Sequence, residues 1–174
     1  MIDHITFGVD NYEESLFFYK ETLACLYSSH DLNIEERTIP PVVKEVEIED
    51  PQTKYCFKVN ATVFRGVRFA SFIHNKLKCG FSIIDLNYGI LEEALSPNFY
   101  GSPKGSTIAF KADTKEQVDK WYAKAIELGA KCNGAPGARP GYGPDDYGAF
   151  VIDLSGNKIE VVLNTAFSTG IYHV

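Results

Sequence analysis

The sequence predicts an α+β protein built from two βαβββ modules. The main observation is an internal repeat, because the segment His4–Asp10 recurs 103 positions later as Thr107–Asp113. The repeat continues into the following residues, where Phe18-Tyr19 aligns with Trp121-Tyr122. In each copy, a strand-like segment is followed by apolar residues at helical spacing. Two copies of such a unit must bury their apolar faces together, so a functional site is expected where the modules meet.

The first module opens with a strand and a helix. Apolar and polar residues alternate over Ile2–Val9, which is typical of a half-buried strand. Asp10 or Asn11 is suited to cap the next helix. Apolar residues then recur at steps of four and three and predict the buried stripe of that helix: Tyr12, Leu16, Tyr19, Leu23 and Leu26. Because successive strand residues point to opposite sides, we expect His4 and Thr6 on the uncovered, concave face of the sheet.

The remainder of the first module, residues 1–90, contains extra strand material. An inserted hairpin is predicted near 33–65, because two alternating runs flank a turn at Asp50-Pro51. Its alternating acidic and apolar residues would also suit the edge of a homodimer. The segment Val67–Leu86 supplies two further strands and completes the βαβββ unit.

A segment rich in proline and glycine, residues 91–105, is the predicted linker to the second module, residues 106–174. That module is expected to contain a strand at 106–112 and a helix at 114–129. A Gly/Pro-rich loop should follow, and then a hairpin from Tyr147 to Leu163.

Composition limits the classes of function. The 174-residue chain has a net charge of −6 and a pI near 5.2, which argues against nucleic-acid binding. No apolar run is long enough to span a membrane, and the amino terminus does not resemble a secretion signal. The four cysteines are scattered, which favours a reduced, cytoplasmic compartment.

The paired modules resemble the vicinal oxygen chelate superfamily, which includes glyoxalase I, bleomycin-resistance proteins and extradiol dioxygenases. The second module carries the stronger match, in Asn133–Pro140, Tyr147–Asp153 and Gly156–Glu160, which are similar to the glyoxalase-like branch. The resemblance implies a curved mixed sheet with helices on its outer face and a cup-shaped site. It also implies lyase, isomerase or dioxygenase chemistry and a homodimer, although one fold hosts many reactions.

The resemblance further implies a divalent metal (Zn, Fe, Mn or Ni) in the cup, held by the first and last strands of each module. His4 and Glu160 match the expected ligands, whereas Thr107 stands where a second imidazole is expected. Ser82 or Ile83, depending on the register, is the first-module counterpart of Glu160. The set is therefore incomplete, because catalytic zinc usually keeps three protein ligands.

His4 and Glu160 have two further interpretations. As a metal-free catalytic pair, they would tune each other's protonation toward neutral pH for proton abstraction beside a carbonyl. Alternatively, both are relics that bond to each other or to water. A carboxylate within a strand of β-branched residues is costly without a partner, so Glu160 needs an explanation. His30, His74 or His173 would have to complete a metal site.

The predicted ligand-binding residues are Thr6, Thr107, Arg139, Tyr142 and Tyr147. Arg139 lies in the Gly/Pro-rich loop, where a guanidinium suits a substrate carboxylate or phosphate. Alternatively, Arg139 pairs with Asp145 or Asp146 and holds the loop in shape. Tyr142 and Tyr147 would supply aromatic walls and hydroxyl donors.

Two functions are compatible with these residues. The first is an enzyme that acts on a small oxygenated molecule in the cup, with His4 and Glu160 as its catalytic centre. The second is a non-catalytic protein of the bleomycin-resistance type, which sequesters a small molecule over a degenerate metal site. Thr107 favours the second function, whereas the presence of both His4 and Glu160 favours the first.

Overall fold

The computed structural model of the protein describes residues 4–49, 56–64, 66–76, 79–88, 107–139 and 146–163. These residues contain the helices α1 (Tyr12–Leu23) and α2 (Lys115–Glu127). They also contain ten strands, which are β1 (His4–Val9), β2 (Leu32–Ile39), β3 (Val42–Glu49), β4 (Cys56–Phe64), β5 (Val67–His74), β6 (Gly80–Asp85), β7 (Ile108–Lys111), β8 (Lys131–Ala138), β9 (Tyr147–Ile152) and β10 (Lys158–Leu163). Of the helices in this part of the chain, neither has the length and apolar character needed to cross a membrane.

The strands form two mixed four-stranded sheets of the same topology. The first has the order β1-β6-β5-β2, and the second has the order β7-β10-β9-β8. In each sheet the first and last strands of the module are parallel neighbours, and the other pairs are antiparallel. With one helix per sheet, this arrangement confirms the predicted α+β fold of two βαβββ modules.

The strand register identifies the first-module counterpart of Glu160. Thr6 pairs with Ser82 in the first sheet, and Ala109, its equivalent in the repeat, pairs with Glu160 in the second. Ser82, and not Ile83, therefore occupies the position that Glu160 occupies in the other module.

Local sequence explains both helices. The Asn11 side chain caps α1 by accepting a hydrogen bond from the Glu14 amide at 3.3 Å, which decides between the two predicted caps. Thr114 and Gln117 form a capping box at the start of α2. The predicted apolar stripe of α1 is buried throughout: Tyr12, Leu16, Tyr19, Leu23 and Leu26.

The two modules share one apolar core. Phe81 of the first module and Phe110 of the second lie with their ring centroids 5.4 Å apart. Phe18 and Trp121, which the repeat aligns, are both 1% exposed within this core. Both residues therefore pack the core.

Polar contacts also join the modules. The Tyr19 hydroxyl of α1 donates to the Asp153 carboxylate, 2.6 Å away in the turn between β9 and β10. The Asp153 carboxylate also accepts from the Ser155 amide at 3.0 Å and from the Asn157 amide at 2.7 Å. Burial and the neighbouring Asp153 carboxylate raise the pKa of Tyr19 well above its usual range, so its hydroxyl remains a donor.

A hairpin lies within the region 33–65, where an inserted hairpin is predicted, and it begins later than predicted. β3 and β4 pair in a separate two-stranded sheet, with Val46 opposite Val59. The hairpin begins at Val42 because the preceding segment, β2, pairs with β5 in the first sheet. The turn at Asp50-Pro51 lies outside the described residues, and the homodimer stays a prediction.

A strand occupies part of the predicted Gly/Pro-rich loop. β8 pairs with β9 from Lys131 onward, with register shifts on either side of Gly134. As an edge strand, β8 tolerates Pro136, which lacks an amide donor. The predicted linker, residues 91–105, lies outside the described residues.

Candidate functional site

The candidate site lies on the face of the second sheet opposite α2, called here the open face. On β10, Ile159 and Val161 are fully buried in the core beneath α2. Because strand residues alternate, Lys158 and Glu160 lie on the other side, where both are half-buried. Phe150 of β9 pairs directly with Glu160 and shares this face.

Two cations approach the Phe150 ring. The Arg139 guanidinium carbon lies 5.4 Å from the ring centroid, and the Lys158 ammonium nitrogen lies 5.2 Å from it. Both distances are within the range of a cation–π interaction. Arg139, Phe150, Lys158 and Glu160 thus form one group, called here the Phe150 cluster.

The backbone of β8 holds Arg139 in place. Its Nη2 donates to the Ala135 carbonyl at 2.8 Å, and its Nη1 donates to the Ala138 carbonyl at 3.2 Å. A Cβ atom at Gly137 would lie 3.1 Å from Nη1, so glycine leaves room for the guanidinium. The Arg139 amide donates to the Asp146 carbonyl at 2.7 Å, while Asp145 lies outside the described residues. The guanidinium is therefore oriented before any ligand arrives.

Burial is the main influence on the pKa of Glu160. It raises the pKa of this carboxyl above its ordinary value, because desolvation disfavours the charged form. Lys158 and Arg139 act in the opposite direction, and Asp146 adds to the increase. Among the described residues, no hydrogen bond or ion pair engages the Glu160 carboxylate. Glu160 is thus a partly desolvated carboxyl that remains available to a ligand.

The first-module candidates lie on the corresponding strands. His4 begins β1 beside Gly80, but the placement of its side chain lies outside what the structure describes. Thr6 is exposed next to Ser82, whose hydroxyl shares a 2.8 Å hydrogen bond with the Ser71 hydroxyl. Thr107 is half-buried and directly precedes β7.

Tyr147 lies on the wrong face for the role predicted from sequence. Its hydroxyl donates to Asp119 of α2 at 2.8 Å, and Lys115 of the same helix lies 5.5 Å from its ring centroid. Tyr147 shares the helix-covered face with Ala149, because the two are separated by one residue on β9. It therefore does not line the open face, and Tyr142 lies outside the described residues.

Comparison with known proteins identifies the fold. No family model and no curated protein matches the chain. A glyoxalase/bleomycin resistance protein from Albidiferax ferrireducens T118 aligns at 24% identity and TM-score 0.55, covering 94% of this chain and 98% of that chain. A glyoxalase-related enzyme from Fulvimarina pelagi aligns at 14% identity and TM-score 0.54, covering 94% and 88%.

The fosfomycin resistance protein FosX from Mesorhizobium loti aligns at 14% identity and TM-score 0.51 over 98% of both chains. The chain has the same fold as these proteins. At these identities the likeness concerns the fold alone, because this scaffold carries unrelated chemistries.

The metal that the resemblance implies does not fit the donors that the described residues supply. Within that part of the chain, no group of three or more His, Cys, Asp or Glu side chains comes together. The position equivalent to His4 is Thr107, and the position equivalent to Glu160 is Ser82. Arg139 and Lys158 also place positive charge near Glu160, which opposes a divalent cation.

Phe150 and Lys158 are site residues that the sequence did not single out. Lys158 lies two positions before Glu160 on the same strand, so period-two alternation would have placed both on one face. Phe150 depends on the pairing of β9 with β10, which only the register of the folded sheet supplies.

The raised pKa of Glu160 predicts a pH-dependent effect of Glu160→Gln on stability. A carboxyl whose pKa is raised by folding stabilises the fold while protonated, and this contribution is lost as the pH rises through its folded pKa. Relative to the wild type, we expect Glu160→Gln to gain unfolding free energy as the pH rises from about 3 to about 8. Urea denaturation across this range measures the difference.

Glu116→Gln is the matched control for this effect. A hydrogen bond from its own backbone amide, supported by Thr114, lowers the pKa of Glu116 at the start of α2. A lowered pKa gives the opposite sign, so Glu116→Gln should lose stability relative to the wild type as the pH rises. Parallel curves for the two variants would contradict the assignment for Glu160.

Proposed function

We propose that this protein binds a small oxygenated molecule on the open face and that Glu160 transfers a proton at the carbon beside its carbonyl. The supporting observation is the half-buried Glu160 carboxylate, which has no hydrogen bond or ion pair among the described residues. Partial burial of an unpaired carboxylate lowers the stability of the fold. Such groups are concentrated at functional sites, where they transfer protons.

The chemistry follows from the Phe150 cluster. A base works best when its pKa is close to the working pH, and burial moves the pKa of Glu160 in that direction. Removal of a proton beside a carbonyl places negative charge on the carbonyl oxygen. Arg139 and Lys158 would stabilise that charge, and the Phe150 ring offers an apolar surface for the ligand. A role for His4 as the partner of Glu160 remains part of this proposal.

A second candidate function is sequestration of a small molecule without chemistry. Thr107 and Ser82 support it, because they occupy the positions that mirror His4 and Glu160 and neither is a strong acid, base or metal ligand. The two functions differ in whether bound molecules exchange protons.

Deuterium exchange tests the proposed function. Hydroxyacetone is incubated with the protein in heavy water, and loss of the proton signals beside its carbonyl is followed by NMR. The wild type should accelerate exchange, and Glu160→Gln should slow it by about 100-fold, the low end of general-base contributions. Protein treated with a chelator should exchange at the wild-type rate.

Asp119→Asn serves as the control, because this carboxylate lies on the helix side and accepts from Tyr147. It should leave the exchange rate unchanged. Equal exchange by the wild type and Glu160→Gln would contradict the role of Glu160. Binding of hydroxyacetone without any exchange would support sequestration instead.

A further inference from the structure

We infer that the ligand of the open face carries an anionic oxygen group, a carboxylate or a phosphonate, and that Arg139 and Lys158 form its subsite. The inference rests on the proposed function, because it names the class of ligand for the same site. It depends on which donors of the Phe150 cluster remain unused.

Some hydrogen-bond donors of Arg139 have no acceptor among the described residues. Its two hydrogen bonds, to the Ala135 and Ala138 carbonyls, use one donor on each terminal nitrogen. The other N–H groups of the guanidinium have no acceptor among the described residues. A guanidinium fixed in this way is oriented to bind an anionic oxygen group at little entropic cost.

The other described arginines differ from Arg139. Arg37 forms an ion pair with Glu35 at 3.0 Å, and Arg68 forms one with Glu13. Arg139 lies close enough to the Glu160 carboxylate to lower its pKa. Even so, Arg139 forms no ion pair within the described chain. Its charge therefore remains available.

Lys158 is the second cation of the subsite. Its ammonium group lies over the same ring as Arg139, and no acceptor among the described residues engages it. Both charges thus lie within 5.4 Å of the Phe150 centroid, on the half-buried face of the sheet. Partial desolvation strengthens their attraction for an anion.

Two carboxylates, Glu160 and Asp146, lie near the two cations. Glu160 makes no ion pair with either cation, so its carboxylate and the two cations remain separate binding points. Asp146 is only 1% exposed, so its side chain does not form part of the accessible surface. A ligand with an anionic group and a carbonyl would engage the cations and Glu160 together.

Binding of three aromatic probes tests the subsite, with affinities measured by NMR titration at low salt. Benzoate and phenylphosphonate represent the two sources of negative charge, and benzamide is the neutral match for benzoate. We expect one or both anions to bind at least tenfold more tightly than benzamide. Arg139→Met and Lys158→Met should each weaken anion binding by about tenfold or more.

Two surface variants are matched controls. Arg37→Met and Lys120→Met each remove one positive charge away from the Phe150 cluster, and both should retain wild-type affinity. Lys158→Met and Arg139→Lys keep the test interpretable if Arg139→Met unfolds. A preference for one anion identifies its source as a carboxylate or a phosphonate.

Three results would overturn the subsite. These are benzamide binding as tightly as benzoate, unchanged anion affinity in both cation variants, and no detectable anion binding. The proposed function is judged separately by the exchange of hydroxyacetone, which is neutral. If exchange depends on Glu160 but no anion binds, the proposed subsite is wrong and the proposed function stands.

Discussion

Replacing Asp153 with alanine is expected to lower the free energy of unfolding by about 3 kcal/mol, because several buried donors would lose their acceptor. The carboxylate accepts hydrogen bonds from the Tyr19 hydroxyl at 2.6 Å and from the Asn157 side-chain amide at 2.9 Å. It also accepts from the backbone amides of Ser155 and Asn157. Tyr19 and Asp153 belong to different modules, so the variant should weaken the association of the two halves.

Urea denaturation measures the loss, and a double-mutant cycle separates its parts. Tyr19→Phe removes the donor, so Asp153→Ala should cost less in the Tyr19→Phe background than in the wild type. Asp119→Ala is the matched control, because it also removes the acceptor of a tyrosine hydroxyl, but in an exposed position. It should cost less than about 1 kcal/mol. Equal losses for Asp153→Ala and Asp119→Ala would contradict the role of Asp153.

The elements that sequence predicted well are those with local causes. The cap at Asn11 and the apolar stripe from Tyr12 to Leu26 depend only on spacing along the chain, and both are present. The repeat itself predicted the shared core, because Phe18 and Trp121 align and both are buried. The fold therefore followed from local pattern together with one long-range similarity.

The site was harder to predict, because it depends on pairing between strands. β8 was expected to be a loop, since Gly134 and Pro136 are typical of turns, but pairing with β9 outweighs that preference. Tyr147 was predicted to bind the ligand, although its partner on β10 is Leu163, an odd number of positions from Glu160. Only the register shows that Phe150 is the residue beside Glu160.

The two modules have diverged at equivalent positions. One row of paired residues crosses the first sheet as Thr6, Ser82, Ser71 and Glu35. The equivalent row of the second sheet is Ala109, Glu160, Phe150 and Gly134. The first row has three hydroxyl groups and a carboxylate, Glu35, on an edge strand, where it pairs with Arg37. The second row has its carboxylate, Glu160, on an inner strand beside an aromatic ring. This difference supports assigning the proposed chemistry to the second module.

Gly134→Ala is expected both to lower stability and to weaken anion binding. Gly134 has a φ of +153°, which L side chains rarely adopt, so alanine costs about 1 to 3 kcal/mol in backbone strain. Its new Cβ would lie 3.0 Å from Cδ2 of Phe150 and 3.5 Å from Nη2 of Arg139. The Phe150 ring would have to shift by a few tenths of an ångström, and the Arg139 guanidinium lies against that ring.

Gly156→Ala separates strain from crowding. Gly156 also has a positive φ, +90°, but a Cβ there would meet nothing within 4 Å. Both variants should lose stability in urea denaturation, whereas only Gly134→Ala should weaken phenylphosphonate binding, by about tenfold or more. If both variants retained wild-type affinity, the open space at Gly134 would not be required for the position of Arg139. Loss of affinity in Gly134→Ala alone would show that a backbone conformation on β8 prepares the site on β9 and β10.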